Sequence, residues 1–365
     1  MIKVLHILSS VDFGGMSSVV VNYYKHIDRD KIQFDIALTT DSFGKDGETL
    51  KELGANFYRI PMKSENRREY KKQLSELLKK NNYDGIHVHE NETSFFALQI
   101  AKNRGVKRRI VHAHTSSPYI NIRSEIRRMI GCVLNYHYST TAIACGELAA
   151  KRVFGTINYK RKKCVILPNA IEIERFKFND GRRIEIRKAL NLQDKYVVGM
   201  VGRFSCEKNY AFAIELTKKL KNNIENIILV CIGDGDEMSN IRQLVKLYSL
   251  EDKVLFLGKK SNIQDYYQAF DVQIMPSFHE GFPVAAVEGL CSGLKVIMSD
   301  TITPEFSVYE NCVYLPINDI EKWEKEIINI SCHDKRNSGE VIYNQLKTKL
   351  DIGNTKNILE QIYST

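Results

Sequence analysis

The sequence predicts an α/β protein made of two Rossmann-like, doubly wound domains, each built on a parallel sheet. Three observations lead there. Short apolar runs of strand length alternate with helical patterns along almost the whole chain, the order that produces parallel sheets covered by helices. The chain has 365 residues, enough for two domains at roughly 150 residues each. The alternation breaks once, at Pro168-Asn169-Ala170 and the charged stretch that runs on to about Asp194. That break divides the chain into a domain over 1–168 and a second over 169–350, with a last helical segment, 351–365, that can pack back on the first.

The elements follow in order. Lys3–Leu8 reads as a strand, followed by a loop ending in Gly14-Gly15 and a helix from about Met16. Phe34–Thr39, Phe57–Ile60, Gly85–Val88, Arg109–Ala113, Thr141–Ala144 and Val165–Leu167 read as further strands, with helical spacers between most of them. After the break the series restarts with strand Val197–Val201, a helix from about Asn209, strand Ile227–Ile232, a helix near Met238–Tyr248 and strand Val254–Leu257. Strand Cys312–Leu315 and a helical tail close the chain.

Between them lies the most informative stretch, Met275 to Asp300. An apolar run, Val272–Met275, ends in a Pro-Ser turn, and Glu280-Gly281-Phe282-Pro283 leads into a helical pattern carrying Glu288, then a second apolar run, Val296–Met298. This is one βαβ unit. Pro283 suits the first helical turn, where a missing N–H costs nothing. Glu280 falls at a strand's carboxyl end, where open parallel sheets bind ligands, and Glu288 lies about one and a half turns into the helix. By spacing alone, two such carboxylates read as a solvated pair on a surface helix.

Other strand ends carry candidate groups. Gly14-Gly15 lets backbone N–H groups approach a phosphate or sugar at a helix N-terminus, though it is not GxGxxG and excludes a nicotinamide fingerprint. Gly202-Arg203 and Lys208 put two cations just after Val197–Val201, a pattern suited to a diphosphate, on which fixed cations stabilise growing negative charge. Gly233-Asp234-Gly235 and Gly258-Lys259-Lys260 end the next two strands and read as turns. His87 and His89, then His112 and His114, alternate onto one face of two strand ends. His-x-His permits a metal, but no third ligand at zinc spacing accompanies it, so hydrogen-bonded histidines are the plainer reading and no metal is expected. Glu147, after Cys145-Gly146, fits the first turn of a helix.

The string PSFHEGFPVAAVEGLCSG followed by SD, together with GRFSCEKN and VHAHTSS, resembles retaining glycosyltransferases of family 4. The resemblance covers almost the whole chain, most specifically 199–300. It implies the GT-B fold, in which two Rossmann-like domains face a central crevice. It implies that Glu280 contacts the donor sugar, Glu288 the nucleotide ribose, and Arg203 and Lys208 the donor phosphates. Gly281, Phe282 and Pro283 belong to the same donor segment, Gly233 and Gly258 would shape the nucleotide pocket, and Glu305 would lie near the donor. Gly14 and Gly15 match the family's N-terminal glycine loop, and His114, rather than His112, best matches an active-site histidine. The HAH form departs from the family's commoner His-Asp, and Gly146 from its Ser, which leaves His112 and Glu147 open.

Composition narrows the partners. Hydrophobic content of 43% and charged content of 27% suit an ordinary globular protein. No run approaches the roughly 20 apolar residues needed to span a bilayer, and Met1-Ile2-Lys3 passes straight into a strand without a signal-peptide pattern. Eight scattered cysteines without a CxxC pair point to reduced thiols and a cytoplasmic setting. The net charge is +9, yet residues 1–170 hold 28 Lys and Arg against 16 Asp and Glu. A basic half calls for an anionic partner, and no nucleic-acid motif accompanies it.

Within that half, Ile122, Ile126, Met129, Ile130, Val133 and Leu134 recur at helical spacing. The plain expectation is a helix packing this stripe on the N-terminal sheet. The sharper one is that Arg123, Arg127 and Arg128, with Lys71, Lys72, Lys79 and Lys80, dock on anionic lipid, peripherally on the inner face of the plasma membrane. The whole reads as a metal-independent transferase, without cofactor, that moves a sugar from a nucleotide-sugar donor, by family frequency a UDP-sugar, to a glycan or lipid-linked acceptor in capsule or exopolysaccharide assembly. A nucleotide-sugar 2-epimerase on the same fold and a non-catalytic nucleotide-sugar-binding subunit are the alternatives.

Overall fold

A computed structural model describes residues 1–12, 15–114, 122–162, 164–333, 336 and 339–365. The chain forms two compact units, Met1–Ile171 with Leu350–Thr365, and Glu172–Lys349. The expected division at 168/169 thus falls just before the observed one, and the terminal segment belongs with the first unit.

The first unit holds seven strands: β1 (Ile2–Leu8), β2 (Ile32–Leu38), β3 (Asn56–Arg59), β4 (Gly85–Val88), β5 (Arg108–Ala113), β6 (Thr141–Ala144) and β7 (Val165–Ile166). All pair parallel in the order β3-β2-β1-β4-β5-β6-β7. The second unit holds β8 (Tyr196–Val201), β9 (Ile227–Ile232), β10 (Val254–Gly258), β11 (Val272–Met275), β12 (Lys295–Ser299) and β13 (Cys312–Leu315), in the parallel order β10-β9-β8-β11-β12-β13. Nearly every central strand residue is buried, as both faces of a parallel sheet require. In each sheet the strand order reverses once, between β1 and β4 and between β8 and β11. Loops leave a reversal point in opposite directions and open a crevice at the carboxyl edge of the sheet.

The C-terminal helix Ile352–Ser364 is fastened to the first unit. Ile171 N–H donates to the Leu350 carbonyl at 3.2 Å and Ile352 N–H to the Ile171 carbonyl at 3.1 Å. The helix then buries Ile352, Leu359 and Tyr363 in the core beneath Gly15–His26.

Three sequence expectations change. The charged stretch up to Asp194 contains a helix, Asp180–Ala189. Its arginines are structural: Arg187 is buried and reaches Asp271 at 3.1 Å and the Ala269 carbonyl at 2.7 Å, and Arg183 pairs with the same Asp271. Pro283 caps rather than begins its helix, which runs Val284–Cys291.

The third change is the largest. Helix Ile122–Tyr138 does not pack its apolar stripe on the sheet. Ile122, Ile126, Met129, Ile130 and Val133 are all exposed, Ile122 to 78%, while Gly131, Cys132 and Asn135 are buried. A Cβ on Gly131 would stand 2.3 Å from the Glu92 carbonyl oxygen, so the helix crosses Asn91–Thr93 with nothing between the backbones. Asn135 Nδ2 donates to the Asn91 carbonyl at 2.9 Å at the same crossing. Gly131→Ala should therefore destabilise the first unit by about 1–3 kcal/mol, the cost of overpacking a tight contact. Ile126→Ser and Ile130→Ser should each stay within about 0.5 kcal/mol of the parent. Urea unfolding measures both, and a large loss in the two serine variants would place the stripe inside the protein.

Candidate functional site

In the second unit the reversal point between β8 and β11 gathers the charged groups. β8 ends at Val201, and Gly202 turns with φ +159° into the loop that carries Arg203 and the short 3-10 turn Cys206–Lys208. β11 ends at Met275, and its loop carries Ser277 and Glu280. Lys208 Nζ and the Glu280 carboxylate form an ion pair that spans the two loops. Ser277, fully buried, donates its hydroxyl to the same Glu280 oxygen at 2.8 Å. Phe278 N–H donates to the Glu207 carbonyl at 2.8 Å, tying the loops together through backbone as well. Thr301, after β12, donates to the Ser277 carbonyl at 3.1 Å.

The glycine turns support this from the other side. Gly202 N–H donates to Ile232 and Gly233 N–H to Gly258, each 3.0 Å to the carbonyl. A Cβ on Gly233, at φ +141°, would lie 1.9 Å from the Gly202 oxygen, so only glycine admits this approach. Gly233, Gly258 and the Arg203 loop therefore line one carboxyl edge with Lys208 and Glu280. Arg203 is exposed.

Glu288 lies apart from that ion pair. It is set against Tyr267, whose hydroxyl donates to its carboxylate at 2.7 Å. Enclosure by protein pushes its pKa up to about 7, against the opposing pull of the Tyr267 hydrogen bond and of Arg175. Phe282 is buried edge-on to Phe306 at 5.4 Å, which ties Gly281–Pro283 to the turn Pro304–Phe306, where Glu305 is exposed.

In the first unit, Gly14 lies outside the described residues, and Gly15 opens the helix Gly15–His26. His114 follows β5, and its main-chain N–H donates to Asn91 Oδ1 at 3.1 Å. His112 is buried and His114 partly so. Glu147 opens the helix Glu147–Phe154 and pairs with Lys151 at 2.9 Å. The sequence missed two neighbours of the histidines: His6, on β1, and Tyr363, from the C-terminal helix. Neither has a local signal, because a lone histidine in a strand and a tyrosine in an amphipathic helix both look like core.

Two triads, His6-His87-His89 and His89-His112-His114, are the groups among the described residues that gather three metal-ligating side chains. Within each triad the ligating nitrogens lie within 4.8 Å of one another. The rings stack, His87 on His89 at 4.3 Å and His87 on His112 at 5.3 Å, and their nitrogens hydrogen-bond one another, His89 to His114 at 2.7 Å and His6 to His89 at 3.1 Å.

Comparison with known proteins identifies the scaffold. Residues 13–175 match the profile of Glycosyltransferase Family 4, and residues 182–337 that of Glycosyl transferases group 1. EpsF of Bacillus subtilis, itself provisionally named a glycosyltransferase, is 34% identical over 82% of this chain and 80% of its own. The UDP-Gal:alpha-D-GlcNAc-diphosphoundecaprenol alpha-1,3-galactosyltransferase of Escherichia coli is 25% identical over 90% of this chain and 88% of its own. The crystal structure of Anabaena HepE in complex with UDP-glucose matches over 100% of both chains with a TM-score of 0.84 at 16% identity, which fixes the fold as GT-B.

The buried histidines make stability depend on pH. Burial lowers His6 and His114 to about 3 and holds His87, His89 and His112 well below the ordinary value. Their contribution is fully present above the unfolded value near 6.5 and is lost as pH falls toward the folded values, because the unfolded chain takes up protons first. Each group removes about 1.4 kcal/mol per pH unit in that window. Glu288 acts with the opposite sign, as one group against five. The urea midpoint should drop steeply between about pH 7 and about pH 5, and a flat midpoint there would contradict neutral burial.

Proposed function

This chain belongs to glycosyltransferase family 4 and is a glycosyltransferase, and on that premise we propose that it moves a sugar from a UDP-sugar to a lipid-linked glycan acceptor in surface polysaccharide assembly, with retention at the anomeric carbon. The observation that carries the donor half is the Lys208–Glu280 pair across the reversal of the second sheet. The named donor and acceptor of the Escherichia coli relative, UDP-Gal and a diphosphoundecaprenol-linked sugar, support the substrate classes.

Each group then has a task. Lys208 and Arg203 hold the donor diphosphate, and Glu280 positions the donor sugar. The bond from the anomeric carbon to the diphosphate breaks, and negative charge grows on the leaving oxygen beside fixed cations, where preorganised charge acts most strongly. The acceptor hydroxyl attacks the same face, and its proton passes to that leaving oxygen. The sugar carries oxocarbenium character meanwhile. Glu288 accepts from the ribose hydroxyls, and Gly233, Gly258, Gly281–Pro283 and Glu305 enclose the nucleotide. Backbone N–H groups at Gly14-Gly15 and the His114 imidazole serve the sugar and acceptor. Side-chain cations do the work of a divalent ion, so none is required.

Arg203→Ala and Lys208→Ala should each lower kcat by about a hundred- to a thousandfold while leaving unfolding unchanged, the scale of one lost preorganised group. Transfer should persist in EDTA and depend strictly on added acceptor. Donor turnover without acceptor would favour an epimerase, and activity within about twofold of wild type in both variants would remove the diphosphate role.

The acceptor's lipid bears on helix Ile122–Tyr138. Its outward apolar stripe is flanked by exposed Arg123 and Arg127, the pattern of a helix lying in a membrane interface. Arg128 is not part of that surface. It is bound to Glu125 at 2.6 Å and to the Arg152 carbonyl at 3.3 Å. Lys71, Lys72, Lys79 and Lys80 are exposed on Arg67–Asn81. No described helix is long and apolar enough to cross a membrane, and the association proposed here is a peripheral one. Wild type should sediment with anionic but not neutral vesicles, less so at high salt. Arg123→Glu/Arg127→Glu and Ile126→Ser/Ile130→Ser should stay folded and remain in the supernatant. Equal sedimentation of wild type and both variants would refute the docking surface.

A further inference from the structure

Six buried or partly buried side chains of the first unit join in one unbranched hydrogen-bonded chain. His114 Nε2 meets His89 Nδ1 at 2.7 Å, and His89 Nε2 meets His6 Nδ1 at 3.1 Å. His6 Nε2 meets the Tyr363 hydroxyl at 3.3 Å, which meets His87 Nδ1 at 2.6 Å. His87 Nε2 meets His112 Nδ1 at 3.2 Å. The chain folds back on itself, because the His112 and His114 rings lie 4.0 Å apart. Both of its ends are open: His112 Nε2 and His114 Nδ1 are buried atoms with no hydrogen-bond partner among the described residues. Native structures rarely leave such atoms unexplained.

Counting protons gives the chain its behaviour. Burial keeps all five imidazoles neutral, so each brings one N–H. With the tyrosine O–H there is one more proton than there are links. With Tyr363 donating to one neighbour and accepting from the other, the surplus proton sits at one open end and the other end is a bare lone pair. If Tyr363 donates to His87, every imidazole is the Nε2–H tautomer, His112 points an N–H outward and His114 presents its Nδ1 lone pair. If Tyr363 donates to His6, all five are Nδ1–H and the two ends exchange character. The mixed arrangement, in which Tyr363 accepts from both His6 and His87, fills every link only by leaving the buried Tyr363 O–H without an acceptor, which costs a full desolvation penalty.

The distances choose between the two. A hydroxyl donor makes the shorter bond and an imidazole N–H donating to a hydroxyl the longer. The bond to His87 is 2.6 Å and that to His6 is 3.3 Å. On these lengths Tyr363 is taken as donor to His87 and acceptor from His6.

We propose that these six side chains are a tautomer relay, in which Tyr363 is a positioning residue that presents His114 Nδ1 as a hydrogen-bond acceptor toward a ligand hydroxyl. The assignment of a ligand to His114 rests on the proposed function, whereas the relay itself does not.

Nitrogen-15 histidine spectra of the full chain test the relay directly, since they report the tautomer of each imidazole. His6, His87, His89, His112 and His114 should all be Nε2–H in the free protein. Tyr363→Phe keeps the ring and removes the hydroxyl, and it should alter the tautomers of His89 and His114, which Tyr363 does not touch. A mixture of tautomers along the wild-type chain would overturn the relay, as would changes in Tyr363→Phe confined to His6 and His87. So would a stoichiometric divalent ion bound to the histidines of the purified protein. In transfer assays Tyr363→Phe should lower kcat roughly ten- to a hundredfold with donor KM held, the scale of losing an orienting partner of a functional histidine. Altered tautomers with unchanged kcat would leave the relay standing and remove His114 from the reaction.

Discussion

One ion pair, Lys208 with Glu280, organises the second unit. Its partners come from strands that lie side by side but precede diverging halves of the sheet, so it closes across the reversal that makes a crevice possible. Neither member is free to wander. The lysine is carried by a loop clamped between the Gly202–Ile232 bond on one side and the Phe278–Glu207 bond on the other. The carboxylate is steadied by the Ser277 hydroxyl. A half-buried pair of this kind adds little net stability, because desolvation offsets most of its Coulomb attraction. Its value lies in placement. In the proposed reaction an arriving diphosphate replaces the carboxylate as the partner of an ammonium already in position, which releases Glu280 to accept from a sugar hydroxyl.

The first unit uses the same topology with opposite chemistry. At its reversal, between β1 and β4, the inward-facing groups are neutral imidazoles rather than charges. Burying five histidines would cost several kcal/mol if their nitrogens were unpaired. The cost is offset because parallel strands in register bring His6 beside His87 and His87 beside Ile110, two residues before His112 and on the same face. Alternation then sets His87 with His89, and His112 with His114, on a common face. The C-terminal helix completes the arrangement, since its Tyr363 hydroxyl bridges the His6 and His87 imidazoles, whose rings lie 4.8 Å apart. A helix 357 residues from His6 in sequence thus becomes part of the site.

These features also show what a sequence can and cannot reveal. The strands, the α/β class and the individual segments carrying Glu280, Glu288, Arg203 and Lys208 were legible, because each is local: an apolar run, a turn, a charge at a strand end. The pairing of Lys208 with Glu280 was not, because strand order is a tertiary property. His87, His89, His112 and His114 were visible as two pairs, but their union through His6 and Tyr363 required the sheet register. Arg187 was part of an undifferentiated charged stretch, because burial of a guanidinium depends on acceptors from elsewhere, here Asp271 and the Ala269 carbonyl.

Helix Ile122–Tyr138 carries the same lesson further. Its periodicity gives the stripe but not the direction the stripe faces. Burying those five apolar side chains would each be worth about 1.5–3 kcal/mol, so leaving them outside demands a competing reason. The opposite face supplies one. Gly131 allows contact with the backbone at Glu92, and Asn135 donates to the Asn91 carbonyl, while Asn91 Oδ1 accepts from His114 N–H. Only a face of small and polar residues can make that crossing, and rotating the stripe inward would drive isoleucines into the turn that holds His114. The helix thus gives its inner face to positioning the histidine and has only its apolar face left to present outward, so that two hydrogen bonds through Asn91 connect the proposed membrane surface to the proposed acceptor site.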